Sequence, residues 1–411
     1  MEGIVSSGLY MAQHQYIRDQ AALDELAGQV RDAPRIALDT EFMRERTYYA
    51  KLCLVQIATD DVLAAVDPLA VDNLEPLWNA VNGGPEVVFH AASQDLEIIA
   101  GLAGRVPERH FDTQIAAAFL GYGDSIGYAR LVDRIIGRTP GHSEAYTDWT
   151  RRPLSDSQIE YALDDVRYLL EIADRLSGEL DAAQRGSWVR EELDAIASAV
   201  QPEADPEAMW RKVRGARSLR GRKLAALQEV AAWREREAQR RDIPRQRVVP
   251  DRILVEIAKR GPKRMKQVEN LRGLHPREAQ RSGQALIDAV ARAAALPEAE
   301  YPDWGTPPAR VGDPRIEMMA ALLDSVLRGE AAKMRLSSRI LANRRDLEAL
   351  ARWRLEERDE EPRLPVLRGW RRESVGALLL DVLHGRQAVA LETRDDTGLQ
   401  LHLRSTSGGE E

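Results

Sequence analysis

The sequence predicts a mixed α/β domain followed by two all-α domains. Within residues 1–206, short apolar segments of strand length precede segments with helical periodicity, an order that favours a sheet with helices packed on its faces. From residue 207 onward the sequence shows almost no strand pattern, and the net charge changes sign at the same place. A chain of 411 residues is also too long for one ordinary core and suits two or three domains.

The α/β domain is expected to contain four strands and four main helices. Ser93 and Ser155 stand at the start of helical segments and are suitable N-caps. The predicted strands cover residues 35–42, 51–59, 62–66 and 86–90. The predicted helices cover residues 93–102, 113–120, 126–136 and 155–176, the last being the longest.

The remaining chain divides into two helical blocks, 207–295 and 315–390, joined by a linker at 296–314 that contains Pro and Gly. The blocks look like a diverged repeat, since Arg247-Val-Val-Pro-Asp-Arg252 is echoed by Arg339-Ile-Leu-Ala-Asn-Arg344. Residues 391–411, which end in small and acidic residues, are expected to form a flexible tail.

The charge is distributed unevenly along the chain. Residues 1–206 carry a net −18, residues 207–300 carry +11, and the whole chain carries −8. This asymmetry suggests metal chemistry in the first domain and capture of a polyanion by the second. Phosphate contacts are expected from a basic run that starts at Arg211, Lys212 and Arg214. The alternative is that these side chains form only a solvated basic face.

Other features indicate a location in the cytoplasm and no membrane partner. No apolar segment approaches the roughly 20 residues that span a bilayer, and the first residues lack the pattern of a secretion signal. The single cysteine, Cys53, lies in an apolar segment and suits a buried thiol in a reducing compartment.

Four carboxylates form the candidate active site. Asp39 and Glu41 are two residues apart on a predicted strand, so they share a face and repel each other unless a cation lies between them. Asp95 opens the helix after the fourth strand, where the helix dipole favours its charge. Tyr161 and Asp165 lie four residues apart, on one face of the long helix. Oxygen ligands suit Mg²⁺ or Mn²⁺, and we expect two ions, with Asp39 bridging them.

These residues carry a resemblance to a known superfamily. Leu38-Asp-Thr-Glu41, His90-Ala-Ala-Ser-Gln-Asp95 and Tyr161-Ala-Leu-Asp-Asp165 resemble, in order, the three exonuclease motifs of the DEDD superfamily. The chain is most similar to the ribonuclease D family, on residues 39–58, 111–128 and 148–154. Both helical blocks resemble the HRDC domain (helicase and RNase D C-terminal), the second as a degenerate copy. The resemblance covers roughly residues 1–390.

The resemblance implies an RNase H-like fold and removal of RNA 3′ nucleotides as 5′-monophosphates, from tRNA precursors and other small structured RNAs. The superfamily divides into a tyrosine branch and a histidine branch. Tyr161 stands four residues before Asp165, and Glu160 occupies the position of the branch-defining histidine. The tyrosine branch is therefore indicated, with Tyr161 orienting the attacking water. Such a protein could act as a monomer.

Candidate substrate contacts flank the carboxylates. Arg44, Tyr48 and Tyr49 follow the metal-binding strand, where cations and aromatic rings can hold a backbone and stack bases. The alternative is aromatic packing across a hairpin. Gln94 is a candidate contact for the terminal nucleotide. His90 is a weaker candidate, because a core histidine is the favoured interpretation.

Two other functions remain open from the sequence. The same motifs serve DNA exonucleases, although the chain contains no Walker loop or other helicase motif. An RNA-binding scaffold with an inactive nuclease fold is the other alternative. The presence of all four acids and the tyrosine argues against it.

Overall fold

The computed structural model describes residues 14–141, 147–200, 204–304, 313–357, 359–394 and 398–406. A six-stranded sheet lies at the centre of the first domain, in the order β1-β4-β3-β2-β5-β6. The central strand β2 is antiparallel to β3 and parallel to β5. The strands are β1 (Gln15–Ile17), β2 (Arg35–Met43), β3 (Lys51–Ala58), β4 (Leu63–Val66), β5 (Glu86–Phe89) and β6 (His110–Asp112).

Helices cover both faces of this sheet. They are α1 (Gln20–Asp32), α2 (Glu75–Gly83), α3 (Ser93–Ala103), α4 (Thr113–Phe119), α5 (Tyr128–Ile136), α6 (Asp156–Arg167), α7 (Leu169–Ala182) and α8 (Gly186–Ala199). Alternate residues of a strand point to opposite faces, so Ile36 and Leu38 join one apolar core with α1–α3 while Ala37 joins the other with α4–α8. The predicted α/β layering is confirmed.

The four predicted strands are present, and two short ones, β1 and β6, were missed because three residues are too few to show alternation. Ser155 caps α6 and forms a capping box with Gln158. The expected cap at Ser93 is wrong, since α3 already begins there and Ala92 precedes it without a side-chain cap.

The predicted single helix 155–176 is broken at Tyr168 into α6 and α7. The hydroxyl of Tyr128 donates to the carbonyl of Asp164 at 2.7 Å and accepts from the backbone N–H of Tyr168 at 3.3 Å. It therefore interrupts the hydrogen bond that an unbroken helix would form between these two residues, a recognised cause of helix kinks. The longest α-helix described, Gly221–Arg241 with 21 residues, lies instead in the first helical domain.

The first helical domain has a core of its own. Its α-helices are α9 (Gly221–Arg241), α10 (Arg245–Val248), α11 (Asp251–Arg260), α12 (Met265–Glu269) and α13 (Pro276–Ala295). Short 3₁₀ segments lie at Pro206–Lys212, Ala216–Ser218 and Glu298–Glu300.

The second helical domain repeats this order of long, short, medium, short and long segments. It contains α14 (Pro314–Lys333), α15 (Ser338–Leu341), α16 (Arg344–Leu355), a 3₁₀ turn (Pro365–Leu367), and a final helix formed by α17 (Gly369–Arg371), a π segment (Arg372–Gly376) and α18 (Ala377–Leu383). None of the helices within the described ranges combines the length and hydropathy needed to cross a membrane.

The second helical domain shares an apolar core with the α/β domain. The ring of Trp370 stacks on Trp188 with centroids 5.2 Å apart and meets Phe119 edge-on at 4.9 Å. Arg371 donates to both carboxylate oxygens of Glu192, at 2.7 and 3.1 Å. These two domains therefore pack as one body around common residues.

The sequence shows almost no strand pattern from residue 207 onward, yet the structure contains two strands there. β7 (Gln387–Arg394) and β8 (Gly398–Ser405) pair as an antiparallel hairpin that begins four residues before the expected flexible tail at 391 and continues into it. Leu401 and Leu403 alternate with polar residues, and with Val389 they pack against the core shared with the helices. This alternation was the sequence signal for the hairpin. Residues 407–411 of the expected tail lie outside the described residues.

Candidate active site

Three carboxylates meet where β2 faces α6. One carboxylate oxygen each from Asp39, Glu41 and Asp165 lies within 4.8 Å of the others. The first two share a face of β2, and a register shift follows directly after Glu41. Asp95, in the first turn of α3, lies outside this group and is 7% exposed. Its Oδ1 accepts a hydrogen bond from the Thr40 hydroxyl at 2.5 Å.

Burial and mutual repulsion hold protons on these carboxyls. Burial, then the charges of Asp95, Asp165 and Glu41, raise the pKa of Asp39 well above its usual value. Burial, followed by Asp165 and Asp95, raises the pKa of Glu41 to about 8. Burial and Asp164 raise the pKa of Asp165 to about 7, and burial raises the pKa of Asp95 to about 6.

A donor set of this kind fits a divalent cation. Carboxylates that resist ionisation together would ionise readily around a dication, because its charge removes both the repulsion and the desolvation cost. All the donors are oxygens, the ligands that Mg²⁺ and Mn²⁺ prefer. The residues present therefore fit the divalent metal that the sequence predicts.

Tyr161 lies one helical turn before Asp165 on α6 and is half-buried. Its ring stacks on the buried Trp149, with centroids 6.3 Å apart and an interplanar angle of 24°. Arg152 holds the Trp149 segment against the sheet, donating to both oxygens of Asp67 at 2.6 and 2.7 Å. From the sequence, residues 148–154 were identified only as part of a family resemblance. The support that this segment gives to the Tyr161 ring was not predicted.

Gln56 was also missed. It pairs with Asp39 across the β2–β3 ladder, so the two side chains share a face of the sheet. Gln56 is fully buried, and neither polar atom of its side chain has a partner among the described residues. A lone polar residue inside the apolar segment 52–58 was the available signal.

His90 is a core histidine in this structure. Its Nδ1 lies 2.9 Å from the Thr113 hydroxyl and its Nε2 lies 3.0 Å from the carbonyl of Ile126. Burial lowers the pKa of the ring and favours its neutral form. Both nitrogens are engaged by the protein, in agreement with the favoured interpretation of a core histidine, and a substrate contact at His90 stays a prediction. Gln94, one position before Asp95, is exposed to solvent.

Two aspartates next to the site have structural roles. Asp112 caps α4 through the backbone N–H groups of Gln114 and Ile115, as its position before a helix predicts. The side chain of Asp164 is only 15% exposed. It accepts hydrogen bonds from Arg167 at 2.7 Å and from the backbone of Gly141 at 2.9 Å.

The cations and aromatic rings after β2 were expected to contact RNA, and in the structure they form contacts within the protein. Arg44 pairs with Glu97 at 3.1 Å and remains exposed, and Tyr49 is 41% exposed. Tyr48 instead packs against the core of the first helical domain and donates its hydroxyl to Glu235 at 2.5 Å. The HRDC domain thus covers part of the Tyr48 ring, which is half-buried, and base stacking by Tyr48 stays a prediction.

The predicted basic contacts lie on the first helical domain. Arg211, Lys212 and Arg214 are exposed, and the guanidinium of Arg211 lies 4.4 Å from the ring centroid of the buried Trp210. They are not part of the carboxylate cluster. Their position leaves them accessible to a polyanion.

Comparisons with known proteins agree with this geometry. The family model described as a 3′-5′ exonuclease matches residues 14–181, and that of the HRDC domain matches residues 223–290. Ribonuclease D of Sphingobium indicum is 38% identical over 386 residues, which cover 93% of this chain and 97% of the relative. Ribonuclease D of Nitrobacter hamburgensis is 38% identical over 384 residues, covering 92% and 97%.

Solved structures show the same architecture. The crystal structure of Escherichia coli RNase D matches with a TM-score of 0.80 and 34% identity, covering 91% of this chain and 99% of that one. A protein from Bifidobacterium adolescentis, with a TM-score of 0.65 and 24% identity over 90% of this chain and 97% of its own, shares the fold. With its exonuclease domain and its HRDC domain, the chain belongs to the ribonuclease D family of 3′–5′ exoribonucleases.

Proposed function

We propose that this enzyme hydrolyses RNA from the 3′ end with two divalent ions, Mg²⁺ or Mn²⁺, and releases nucleoside 5′-monophosphates. The observation that carries the proposal is the convergence of Asp39, Glu41 and Asp165 within 4.8 Å, with Asp95 beside them. Bound divalent ions would supply activation of a water molecule and stabilisation of the leaving 3′ oxygen.

Each residue of the site has a distinct role in this proposal. Asp39, Glu41 and Asp165, together with Asp95, would hold the two ions, and Asp39 would contribute to both. Tyr161 orients the attacking water through its hydroxyl. The stack on Trp149 fixes the ring in place. Gln94 contacts the terminal nucleotide.

We propose tRNA precursors and other small structured RNAs as substrates. The E. coli relative is described as an exoribonuclease involved in structured RNA processing. Arg211, Lys212 and Arg214 of the first helical domain supply phosphate contacts, and Arg44 and Tyr49 add contacts beside the active site. Such contacts give affinity without reading sequence.

The proposed organisation follows the domains. Residues 1–206 form the exonuclease domain and 207–295 the HRDC domain, with a linker at 296–314. Residues 315–390 form a second, degenerate HRDC-like domain, supported by the repeated order of its helices. The enzyme acts in the cytoplasm as a monomer.

One experiment separates this function from its alternatives. The purified chain is incubated with a tRNA precursor or with single-stranded DNA, each with and without Mn²⁺. Stepwise, Mn²⁺-dependent shortening of the RNA is the expected result. Preference for DNA would indicate a DNA exonuclease, and RNA binding without cleavage would indicate an inactive scaffold.

A further inference from the structure

The loop formed by residues 44–50 connects the strand that carries Asp39 and Glu41 to β3, without regular structure of its own. A cavity of about 560 Å³ opens beside it. One wall consists of Met43, Glu45, Arg46, Thr47 and Lys51, and the opposite wall of Thr147, Asp148 and Thr150. The first wall begins two residues after Glu41, and the second flanks Trp149, which stacks on Tyr161. Both walls are therefore close in the chain to residues of the active site, while the clustered carboxylates themselves do not line the cavity.

The HRDC domain holds the apex of this loop. Asp242, which ends α9, accepts hydrogen bonds at one oxygen from the backbone N–H groups of Tyr48 and Tyr49, at 2.9 and 3.0 Å. The Tyr48 hydroxyl donates to Glu235 at 2.5 Å, and Glu235 is fully buried. Arg245 pairs with the same carboxylate at 3.5 Å. Residues nearly two hundred positions away therefore fix the loop.

Only a few hydrogen bonds hold the loop, but each of them is strong. Hydrogen bonds to a carboxylate are about twice as strong as neutral ones, and a buried carboxylate that loses its donor keeps the full cost of desolvation. Asp242 has a φ of 47°, a left-handed backbone conformation that only Gly, Asn and Asp adopt readily. From this position its side chain reaches the loop.

The cavity has the chemistry of a nucleic-acid backbone site. Arg46 is exposed and Lys51 is exposed at the start of β3, and neither forms an ion pair among the described residues. Asp148 on the opposite wall pairs with Arg151. Glu45 lines the same wall, so together with Arg151 the three cations here outnumber the two carboxylates by one. Exposed cations beside an active site that takes RNA ends suit the phosphates of nucleotides upstream of the cleaved bond.

We propose that the HRDC domain, through Asp242 and Glu235, positions the 44–50 loop as a wall of the cavity that receives the RNA upstream of the scissile phosphate. This proposal rests on the proposed function of the carboxylate site. It assigns the HRDC domain a task inside the active region, in addition to capture of RNA on its own surface. Asp242 and Glu235 are positioning residues, because they act through the loop.

The test compares Asp242→Gly with Asp242→Asn. Glycine removes the acceptor and still adopts the left-handed conformation, whereas asparagine keeps an acceptor oxygen at the same place. Asp288→Asn is the matched control, since Asp288 is an exposed carboxylate on α13 that contacts Gln284. KM and kcat are measured for a dinucleotide, which reaches only the carboxylates, and for an oligoribonucleotide that fills the cavity.

Asp242→Gly is expected to raise KM for the longer RNA by about tenfold, because the binding-competent loop is then only fractionally populated. The expected change for the dinucleotide is less than about twofold, and kcat stays within about twofold for both. Trypsin should cleave at Arg44 and Arg46 faster than in the wild type. Asp242→Asn should restore both measurements, and Asp288→Asn should match the wild type.

Several outcomes would overturn the proposal. Faster trypsin cleavage with unchanged KM would show that the loop is held but does not bind RNA. An equal loss of kcat on both substrates would show that the contacts act on the carboxylates. If Asp242→Gly does not fold, Tyr48→Phe removes the hydroxyl that contacts Glu235 and Gln239 of the HRDC domain, and an unchanged KM for the longer RNA would refute the role. A wild-type chain that cleaves no RNA would overturn the proposed function first, before any variant is compared.

Discussion

Metal binding should release protons from the active site. With pKa values of about 8, 7 and 6, Glu41, Asp165 and Asp95 together retain roughly one and a half protons at pH 7. Burial and its neighbours also raise the pKa of Asp39 well above the usual value. Carboxylates must be ionised to bind a metal. Loading the site at pH 7 should therefore release at least about one and a half protons.

This coupling fixes the sign of the pH dependence. The logarithm of the apparent affinity should rise with pH at a slope of at least about one and a half near pH 7, because each released proton contributes one unit of slope. The slope should decrease as the pH passes the pKa of Glu41, about 8. Without metal the folded state binds protons that the unfolded chain has already lost, so its stability should fall as the pH rises from about 4 to about 8.

Isothermal titration calorimetry with Ca²⁺ measures this release directly. Titrations at one pH in buffers with different ionisation enthalpies give the number of protons from the slope of the observed enthalpy. Asp288→Asn serves as a control far from the site. A release of less than about half a proton at pH 7 would refute the reasoning, because the carboxylates would then be ionised before the metal binds.

Four further changes test other parts of the site and fold. Asp39→Asn should lower cleavage by more than about a thousandfold with an unchanged thermal midpoint, since the bridging charge is lost; activity within tenfold of wild type would contradict a bridging role. Tyr161→Phe should slow single-turnover hydrolysis by about ten- to a hundredfold without changing the Kd for RNA in Ca²⁺, and a normal rate would show that the hydroxyl does not orient water. Trp370→Ala should lower the free energy of unfolding by about 3–5 kcal/mol in urea titrations, because the ring is 2% exposed; a loss below about 1 kcal/mol would argue against a shared core. Replacing Arg211, Lys212 and Arg214 by Gln should weaken RNA binding and reduce the slope of log affinity against log salt concentration by up to about two units. Equal slopes for the variant and the wild type would show that these residues form only a solvated face.

Local patterns predicted the site because its parts lie on single elements. Asp39 and Glu41 are two residues apart on one strand, and Tyr161 and Asp165 are one turn apart on one helix. Both spacings place side chains on one face whatever the rest of the chain does. The sheet brings β2 next to β5, and α3 follows β5, which places Asp95 beside Asp39.

The errors arose from contacts between distant segments. The hydroxyl of Tyr128 breaks a helix whose own sequence is continuous, and Glu235 recruits Tyr48 across 187 residues. Aromatic residues beside cations suggest base stacking in any sequence, so no local pattern could show that another domain already covers part of the ring. The second helical domain likewise completes a core that the nuclease segment alone leaves open.

That shared core has a consequence for synthesis of the chain on the ribosome. The apolar faces of α7 and α8 are complete at residue 199, yet Trp370 and the final helix that cover them end only at Leu383. At roughly 5–20 residues per second, the faces stay uncovered for on the order of ten to forty seconds. Exposed apolar surface of this kind attracts chaperones or neighbouring nascent chains. A chain interrupted before its final helix would carry every catalytic carboxylate and still lack a finished nuclease core.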